Sequence, residues 1–235
     1  MTITNVSLSH ISHMPKYTPE ETILYYARVS NSSYLKASSR IRVLSTDSPA
    51  LAASNRPSNL LKYLITHEHW SPFEMVSMCL EIKTTRDISR QILRHRSFSF
   101  QEFSQRYANP FQQGLNWIPR EARLQDVTNR QSSLVSEDET LNTEWKNKQA
   151  ELMKVLSDTY SWAIDNRIAR EQARSVLPEG LIETRLFMHG TIRSWIHYTE
   201  LRTGIETQKE HRLIALACQD ILYRELPTLN QINKN

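Results

Sequence analysis

Apolar and polar residues alternate along several stretches of the chain, and this alternation predicts β-strands. Between Phe73 and Thr84, every second residue from Val76 to Ile82 is apolar, a pattern typical of a strand with one buried face. Residues 3–8 and 184–188 show shorter runs of the same kind. The pattern therefore predicts a small number of strands, one of them long.

Apolar residues at helical spacing occupy much of the remaining sequence. Thr18 can cap a helix in which Glu21 completes a capping box, and this helix should run to about Ser30. Residues 31–56 and 108–135 lack periodicity and are predicted to be long loops. Further helices are predicted from about Pro57 to His67, from about Asp87 through His95, from a Ser136 cap to Ala163, ahead of Leu177-Pro178, over 191–202 and over 205–226.

Composition limits the class of protein. Of the 235 residues, 39% are hydrophobic, which is enough to bury a core in one large or two small domains. The 29 basic residues outnumber the 25 acidic ones, and this mild excess suits an anionic substrate at least as well as nucleic acid. Cys79 and Cys218 lie far apart, which favours neither a disulfide framework nor a zinc cluster. We expect a cytoplasmic protein, since no signal-peptide pattern or membrane-length apolar run is present.

The segment from Gln91 to Tyr107 has the strongest chemical character. It holds three arginines, a histidine, a carboxylate and several hydroxyls within seventeen positions. On a helix, the spacing of Gln91, Arg94 and His95 would place them on one face, where they could converge on a ligand. Arg94 and Arg106 also offer planar guanidinium groups suited to a phosphate or a pyrimidine carbonyl.

Three other uses of these residues stay open when only their chemistry is considered. The basic side chains could complement the negative C-terminal end of their helix. The aromatic residues between 98 and 107 could stack on the bases of a single-stranded nucleic acid. His67, His69 and His95 could coordinate a divalent cation in a metal-dependent hydrolase.

The order of residues in this segment resembles the signature of the flavin-dependent thymidylate synthases. The residues that carry the resemblance are Arg94, His95, Arg96, Ser99, Glu102, Ser104, Arg106 and Tyr107. Gln101 stands where many members have Asn, a change that keeps the amide. Four further segments are similar to family segments in the same order, namely 27–30, 69–74, 170–178 and 193–210.

This resemblance implies a reaction and its reactants. The enzyme would methylate dUMP to dTMP reductively, with methylenetetrahydrofolate as carbon donor, FAD as hydride carrier and NADPH as reductant. A cysteine nucleophile is not required in this family, and both cysteines of this chain lie in apolar surroundings away from the arginine-rich segment. The expected partners are small molecules, with no nucleic acid, no membrane and no metal.

The resemblance also implies which residues bind. It places Arg202 beside the uracil as the catalytic residue, because a nearby cation lowers the pKa of N3 and favours the ionised ring. The expected FAD contacts are Ser30, His69, Ser71, Arg94, His95, Arg96, Glu102, Arg193 and His197. The expected dUMP contacts are Gln91, Arg94, Glu102, Ser104, Gln105, Arg106, Arg174 and Arg202, with Arg174 reaching the nucleotide of a neighbouring subunit.

We expect a single α+β domain over residues 1–235, in which helices surround a small, mostly antiparallel sheet. The sequence has four glycines and no glycine-rich dinucleotide fingerprint, so a flavin would be held in a non-Rossmann site. The resemblance alone implies a homotetramer with sites shared between subunits.

Overall fold

A computed structural model of the chain describes residues 5–29 and 57–232. The strands in this part are β1 (Asn5–Ser12), β2 (Ser77–Thr85), β3 (Ser99–Glu102), β4 (Arg123–Gln125), β5 (Ser133–Val135) and β6 (Glu183–Thr191). The helices are α1 (Pro19–Ala27), α2 (Pro57–Thr66), α3 (Arg86–Ile92), α4 (Glu139–Asp165), α5 (Arg170–Ala173), α6 (Ile192–Arg202), α7 (Lys209–Glu225) and α8 (Pro227–Ile232). Short 3₁₀ helices cover Ser71–Met75, Phe111–Gln113 and Arg174–Val176.

Four strands form one sheet in the order β1-β2-β6-β3, and each neighbouring pair is antiparallel. The central pair is the longest, since β2 and β6 stay in register from Ser77 opposite Thr191 to Thr85 opposite Glu183. Strands β4 and β5 pair separately as a hairpin. The predicted mixture of helices with a small antiparallel sheet is therefore confirmed.

The alternation along β2 determines which face meets the core. Val76, Met78, Leu80 and Ile82 are all 0% exposed, as their spacing predicts. Helices α1, α2, α6 and α7 supply apolar side chains to the same core. Trp195 of α6 is fully buried there, and its indole N–H donates to the Met78 carbonyl oxygen at 2.9 Å. This contact fixes α6, which carries several candidate site residues, against the sheet.

Local signals set some boundaries correctly. The Thr18 hydroxyl accepts from the Glu21 backbone N–H, and the Glu21 carboxylate accepts from the Thr18 N–H, so the predicted capping box is confirmed. Helix α1 ends at Ala27. Ser30 and the predicted 31–56 loop lie outside the described residues.

Helix α3 ends at Ile92, so the prediction that Gln91, Arg94 and His95 share a helical face is wrong. The chain must leave the helix there because β3 begins at Ser99 to pair with β6. Arg94 and His95 consequently lie in the turn between α3 and β3.

Other predictions miss boundaries or elements. The 3₁₀ helix Ser71–Met75 occupies the start of the predicted first long strand. The predicted loop 108–135 contains the β4–β5 hairpin, whose turn is closed by an Asp126 carboxylate that accepts from the Thr128 and Asn129 backbone N–H groups. The cap of α4 is Asp138, whose side chain accepts from the Leu141 N–H, and is not Ser136. None of the described helices has the length and apolarity to cross a membrane.

Candidate active site

Arg202 and His95 meet between the end of α6 and the α3–β3 turn. The Arg202 Nε–H donates to His95 Nε2 at 3.0 Å, and the His95 ring packs edge-on against Tyr198 at 4.9 Å. Because a guanidinium can only donate, His95 Nε2 must carry the lone pair, and the ring proton lies on Nδ1. Burial and the neighbouring Arg202 charge lower the pKa of His95 to about 4. His95 is therefore a neutral imidazole at physiological pH, with an Nδ1–H to donate.

A second polar group lies against the first. His211 Nδ1 is 3.2 Å from the Gln91 side-chain oxygen, and His211 Nε2 is 3.2 Å from the Tyr198 hydroxyl. Gln91 Nε2 donates to the Gln208 side-chain oxygen at 2.7 Å. Burial, and after it the charges of Arg202 and His95, lower the pKa of His211 to about 3.

Beyond Gln208 lies a cluster of charged side chains from α3, from α7 and from the start of β4 with the residues before it. Glu210 is 3% exposed, accepts from Gln208 at 2.9 Å and from Arg123, and forms an ion pair with Arg120 Nη1 at 3.1 Å. Arg120 also pairs with Asp87 at 2.8 Å. Burial raises the pKa of Glu210, but the hydrogen bonds from Arg123 and Gln208 and the charge of Arg120 hold it below its ordinary value. This cluster anchors the Gln91–Gln208 contact.

Glu102 is held in place at the end of β3. Its Oε1 accepts from the hydroxyls of Ser89 and Thr184, each at 3.0 Å. Arg86 Nη1 lies 3.6 Å from the same oxygen, and both side chains are largely buried. The carboxylate is thus fixed on one oxygen by groups from α3 and β6.

A surface cavity of about 350 Å³ brings together two of the predicted dUMP residues, Gln105 and Arg174. Arg86 and Arg90 of α3 line it as well. Gln105 is 4% exposed and Arg86 is 7% exposed, yet Gln105 Nε2 and Arg86 Nη1 are buried donors without a hydrogen-bond partner. Buried donors without partners are costly, so this wall is suited to an acceptor supplied by a ligand.

Acidic residues balance part of this charge. Glu179 forms an ion pair with Arg90 at 2.9 Å, and Glu171 forms one with Arg106 at 3.6 Å. Both glutamates also line the cavity. Since Arg86 lies against Glu102 and Arg90 pairs with Glu179, Arg174 is the lining arginine without an acidic partner in the described part of the chain, and its charge favours an anion. Ser104 accepts from the Arg106 backbone N–H at 3.4 Å and so lies beside this group.

Four of the predicted flavin residues lie near the 3₁₀ helix Ser71–Met75. His197 packs edge-on against Trp70 at 4.6 Å, and Arg193 donates to Glu74 at 2.8 Å. The hydrogen bond from Arg193 holds the pKa of Glu74 below its ordinary value. His69 and Ser71 are exposed on either side of Trp70 in sequence.

The remaining predicted residues are more scattered. Arg94 and Arg96 are exposed, and within the described part of the chain their guanidinium groups make no hydrogen bond or ion pair. Ser30 lies outside the described residues. The arrangement therefore contains three neighbourhoods: the Arg202–His95 contact, the arginine-lined cavity and the exposed surface around Trp70.

Sequence reasoning missed Arg86, Tyr198 and His211. Arg86 and Arg90 are four residues apart on α3, so helical spacing could have placed them on one face. His211 falls at helical spacing with the buried Ile214, Ala215 and Cys218 of α7, and that stripe could have indicated its burial. The edge-on contact of Tyr198 with His95 and its contact with His211 depend on the fold and give no local signal.

The alternative uses of these residues lose support. In residues 5–29 and 57–232, no group of three His, Cys, Asp or Glu side chains could hold a metal ion. His67 and His69 pack with Tyr63, whereas His95 contacts Arg202, so the three histidines are not brought together. Of the aromatic residues that could stack on nucleic-acid bases, Phe98 is 8% exposed and packs against Trp195 at 4.8 Å, so it is not available for stacking.

Comparisons with known proteins agree with one another. The Thy1 family model, described as thymidylate synthase complementing protein, matches residues 11–228. A flavin-dependent thymidylate synthase of Synechocystis sp. is 45% identical over 212 residues, covering 90% of this chain and 88% of that protein. A "probable flavin-dependent thymidylate synthase" of Paramecium bursaria Chlorella virus 1 is 45% identical over 213 residues, covering 90% and 89%.

A solved structure shares the fold. The crystal structure of a UMP/dUMP methylase, PolB from Streptomyces cacaoi bound with 5-Br UMP, superimposes with a TM-score of 0.76. The match covers 99% of this chain and 94% of that chain at 22% sequence identity. The likeness at this identity concerns the arrangement of helices and strands.

Proposed function

The chain belongs to the flavin-dependent thymidylate synthase family, and from that membership we propose that it reductively methylates dUMP to dTMP. The observation that carries the proposal is 45% identity over 90% of the chain to a flavin-dependent thymidylate synthase, with the arginine-rich segment inside the matched region. Methylenetetrahydrofolate is the proposed carbon donor and NADPH the proposed reductant. FAD, when bound, supplies the hydride that completes the methyl group.

The surface around Trp70 has the chemistry that a flavin requires. Trp70 and His197 offer aromatic and imidazole faces to a planar ring, and His69 is exposed beside them. Arg94 and Arg96 carry unpaired guanidinium groups within the described part of the chain, which suits a pyrophosphate. We propose that His69, Ser71, Arg94, His95, Arg96, Glu102, Arg193 and His197 hold FAD, together with Ser30.

The arginine-lined cavity suits the phosphate of dUMP. Arg174 and Gln105 line the cavity. Arg106 lies beside it, because it forms an ion pair with Glu171, which also lines the cavity. Arg86 adds a buried donor that the sequence did not indicate. In the proposed complex Gln105, Arg86 and Arg106 hold the phosphate together with the Arg174 of a neighbouring copy, Ser104 and Glu102 orient the ribose, and Arg94 and Gln91 complete the contacts to the nucleotide.

Arg202 is the proposed catalytic residue. It is half-buried beside a neutral His95, so its positive charge is not cancelled by a carboxylate in the described part of the chain. A cation in this position favours the ionised form of the uracil ring at N3 and raises the electron density at C5, where the new bond forms. The buried Cys218 is a poor nucleophile because burial raises the pKa of its thiol.

We also propose that four copies of the chain assemble with shared sites in the cytoplasm. Leu141, Trp145, Leu152, Val155 and Trp162 leave a third or more of their surface exposed along one face of α4. An apolar stripe of this width is typical of a helix that packs against another surface. A second copy of the chain would supply that surface.

The function is tested on purified protein by its visible spectrum and by tritium release from dUMP labelled at C5. We expect a yellow protein that releases tritium only when NADPH, methylenetetrahydrofolate and dUMP are all present. The Arg202→Ala variant should stay yellow and lose most of the release. A colourless wild-type protein that stays inactive after addition of FAD would refute the proposal.

A further inference from the structure

In the described part of the chain, every hydrogen bond to the Glu102 side chain reaches the same carboxylate oxygen. Oε1 accepts from the Ser89 hydroxyl of α3 and from the Thr184 hydroxyl of β6, each at 3.0 Å. Both donors are 0% exposed, and they lie 13 and 82 residues from Glu102 in the sequence. Two elements that are remote in sequence therefore meet on one oxygen atom.

The place of Glu102 in the sheet explains why it needs these donors. In the register of β3 and β6, Glu102 lies opposite Leu186, a fully buried residue two positions from Thr184. Side chains at this spacing project from one face of a sheet, so the carboxylate points toward the core that Ile88 and Ile92 of α3 share with Leu186. A carboxylate without hydrogen bonds is costly at such a place.

The two hydroxyls also determine which groups remain free for a ligand. A carboxylate oxygen has two lone pairs, so Ser89 and Thr184 occupy both of those on Oε1. Arg86 Nη1 lies 3.6 Å from Oε1 and makes no hydrogen bond. Glu102 Oε2 makes no hydrogen bond within the described part of the chain, and the side chain is 14% exposed, so a ligand can reach it.

We propose that Ser89 and Thr184 are positioning residues that present Glu102 Oε2 to the ribose and thereby make a free 3′-hydroxyl a requirement for tight binding. The proposal rests on the function above, in which Glu102 orients the ribose of dUMP. That sugar has a single free hydroxyl, at C3′, and a hydrogen bond from a hydroxyl to a carboxylate is among the stronger ones in proteins. Because Oε1 is already saturated, the ribose hydroxyl is directed to Oε2.

The test compares the affinity of the FAD-loaded protein for dUMP and for 2′,3′-dideoxyuridine monophosphate, which lacks the 3′-hydroxyl, by titration calorimetry. We expect the wild type to bind dUMP about tenfold more tightly, the effect of one hydrogen bond. In the Ser89→Ala/Thr184→Val variant, Arg86 Nη1 is the donor left beside Oε1, and its closure on Oε1 draws the carboxylate away from the ribose. The preference for dUMP should then fall about tenfold, so that the two nucleotides bind almost equally well.

Thr84→Val is the matched control. Thr84 lies directly opposite Thr184 in the β2–β6 register and is 1% exposed, but its hydroxyl has no hydrogen-bond partner. Its preference for dUMP should equal that of the wild type. Thr184→Ser keeps a hydroxyl at the same position and should keep the preference as well. Thermal melting of each variant shows how much folding stability it has lost.

A Glu102→Ala background tests whether the two hydroxyls act through Glu102. Glu102→Ala should itself remove the preference for dUMP, and adding Ser89→Ala and Thr184→Val should change that preference no further. A further change in this background overturns the positioning role. If the double variant does not fold, the single variants Ser89→Ala and Thr184→Val, which each keep one hydroxyl, should show preferences between those of the wild type and Glu102→Ala.

The outcomes are distinct. A double variant that keeps the wild-type preference, including one that binds both nucleotides more weakly by the same factor, overturns the positioning role, since a purely structural role has that effect. A wild type that binds dUMP and releases tritium but binds the dideoxy nucleotide equally well overturns the ribose contact and leaves the proposed function intact. A wild type that neither binds dUMP nor releases tritium overturns the proposed function and this proposal together.

Discussion

At the scale of single residues, the Arg202–His95 contact determines which charges face the proposed substrate. The guanidinium lies 3.0 Å from an imidazole nitrogen of His95, and burial together with this charge lowers the pKa of His95 to about 4 and keeps the ring neutral. A neutral neighbour leaves the full positive charge of Arg202 for an anionic ring, whereas a carboxylate neighbour would neutralise it. In the proposed complex this arrangement would stabilise negative charge on the base.

This reasoning predicts the effect of pH on an Arg202→Ala variant. Without the cation, the uracil ring must ionise at its own pKa, so we expect kcat/KM to fall by about 10²-fold or more near neutral pH and to recover partly as pH rises. The wild type should not show that recovery. Tritium-release rates measured across the alkaline range check the prediction, and parallel pH profiles for the two proteins would contradict it.

Stability should also depend on pH through two histidines. The folded protein keeps His95 neutral down to about pH 4 and His211 down to about pH 3, whereas the unfolded chain takes up both protons near the ordinary value of 6.5. The unfolded state therefore binds more protons in this window, and the free energy of unfolding falls as pH is lowered from 6.5 toward 4. Above 6.5 these two groups should contribute no pH dependence.

The measurement is the urea midpoint at about pH 7 and about pH 5. His211→Gln should reduce the loss between the two conditions, because one of the two depressed pKa values is removed. His10→Gln is the control, since His10 is an exposed residue of β1. If the wild-type midpoint is the same at both pH values, the buried-histidine account is wrong.

The residues that sequence reasoning predicted and those it missed differ in kind. Gln105 and Arg174 line one cavity, and Arg202 meets His95, so part of the predicted set converges. Whether these residues bind dUMP and FAD stays a prediction. Helical spacing could have indicated the face of Arg86 and the burial of His211, but their contacts are with partners far away in sequence, which local patterns do not record.

At the scale of elements, periodicity was most informative where one face is buried and least informative where the chain turns. The alternation along β2 predicted its core face correctly. The predicted end of α3 at His95 was wrong, because residues 93–95 fit a helical pattern equally well. Only the pairing of β3 with β6 requires the turn there. Strand pairing is a long-range property, so it overrides local preference.

Gly190 shows how closely two elements meet near the site. A Cβ added to Gly190 of β6 would overlap the ring of Phe98, at the end of the α3–β3 turn. Gly190→Ala should therefore push Phe98 away from Trp195 and displace the turn that carries Arg94 and His95. We expect Gly190→Ala to lower the free energy of unfolding by about 1–3 kcal/mol. The free energy of dUMP binding should fall by a larger amount.

Gly180→Ala provides the matched control, because nothing lies within 4 Å of the added methyl group. Urea unfolding and dUMP titration of both variants give the comparison. The interpretation fails if Gly190→Ala is as stable as Gly180→Ala and binds dUMP equally well.

At the scale of the whole molecule, the exposed apolar stripe on α4 favours packing against a partner surface. Trp145 is 43% exposed, Leu152 48% and Trp162 60%, and all three fall on one side of a 27-residue helix. Only the C-terminal half of α4 packs against the small core around Tyr160. Burying such side chains would contribute roughly 1.5–3 kcal/mol each if they were fully enclosed, which favours association.

We expect light scattering to give about four times the chain mass of 27.5 kDa, and a Leu152→Glu/Trp162→Glu variant to give a smaller species. Lys154→Glu, on the opposite side of α4, should leave the mass unchanged.

Because neither Leu152 nor Trp162 belongs to the candidate site, loss of tritium release in the dissociated variant would indicate sites shared between subunits. A dissociated variant that keeps full activity would show that each chain holds a complete site, with Arg174 and Gln105 of one chain binding the same nucleotide. A wild-type mass of one chain would rule out the tetramer.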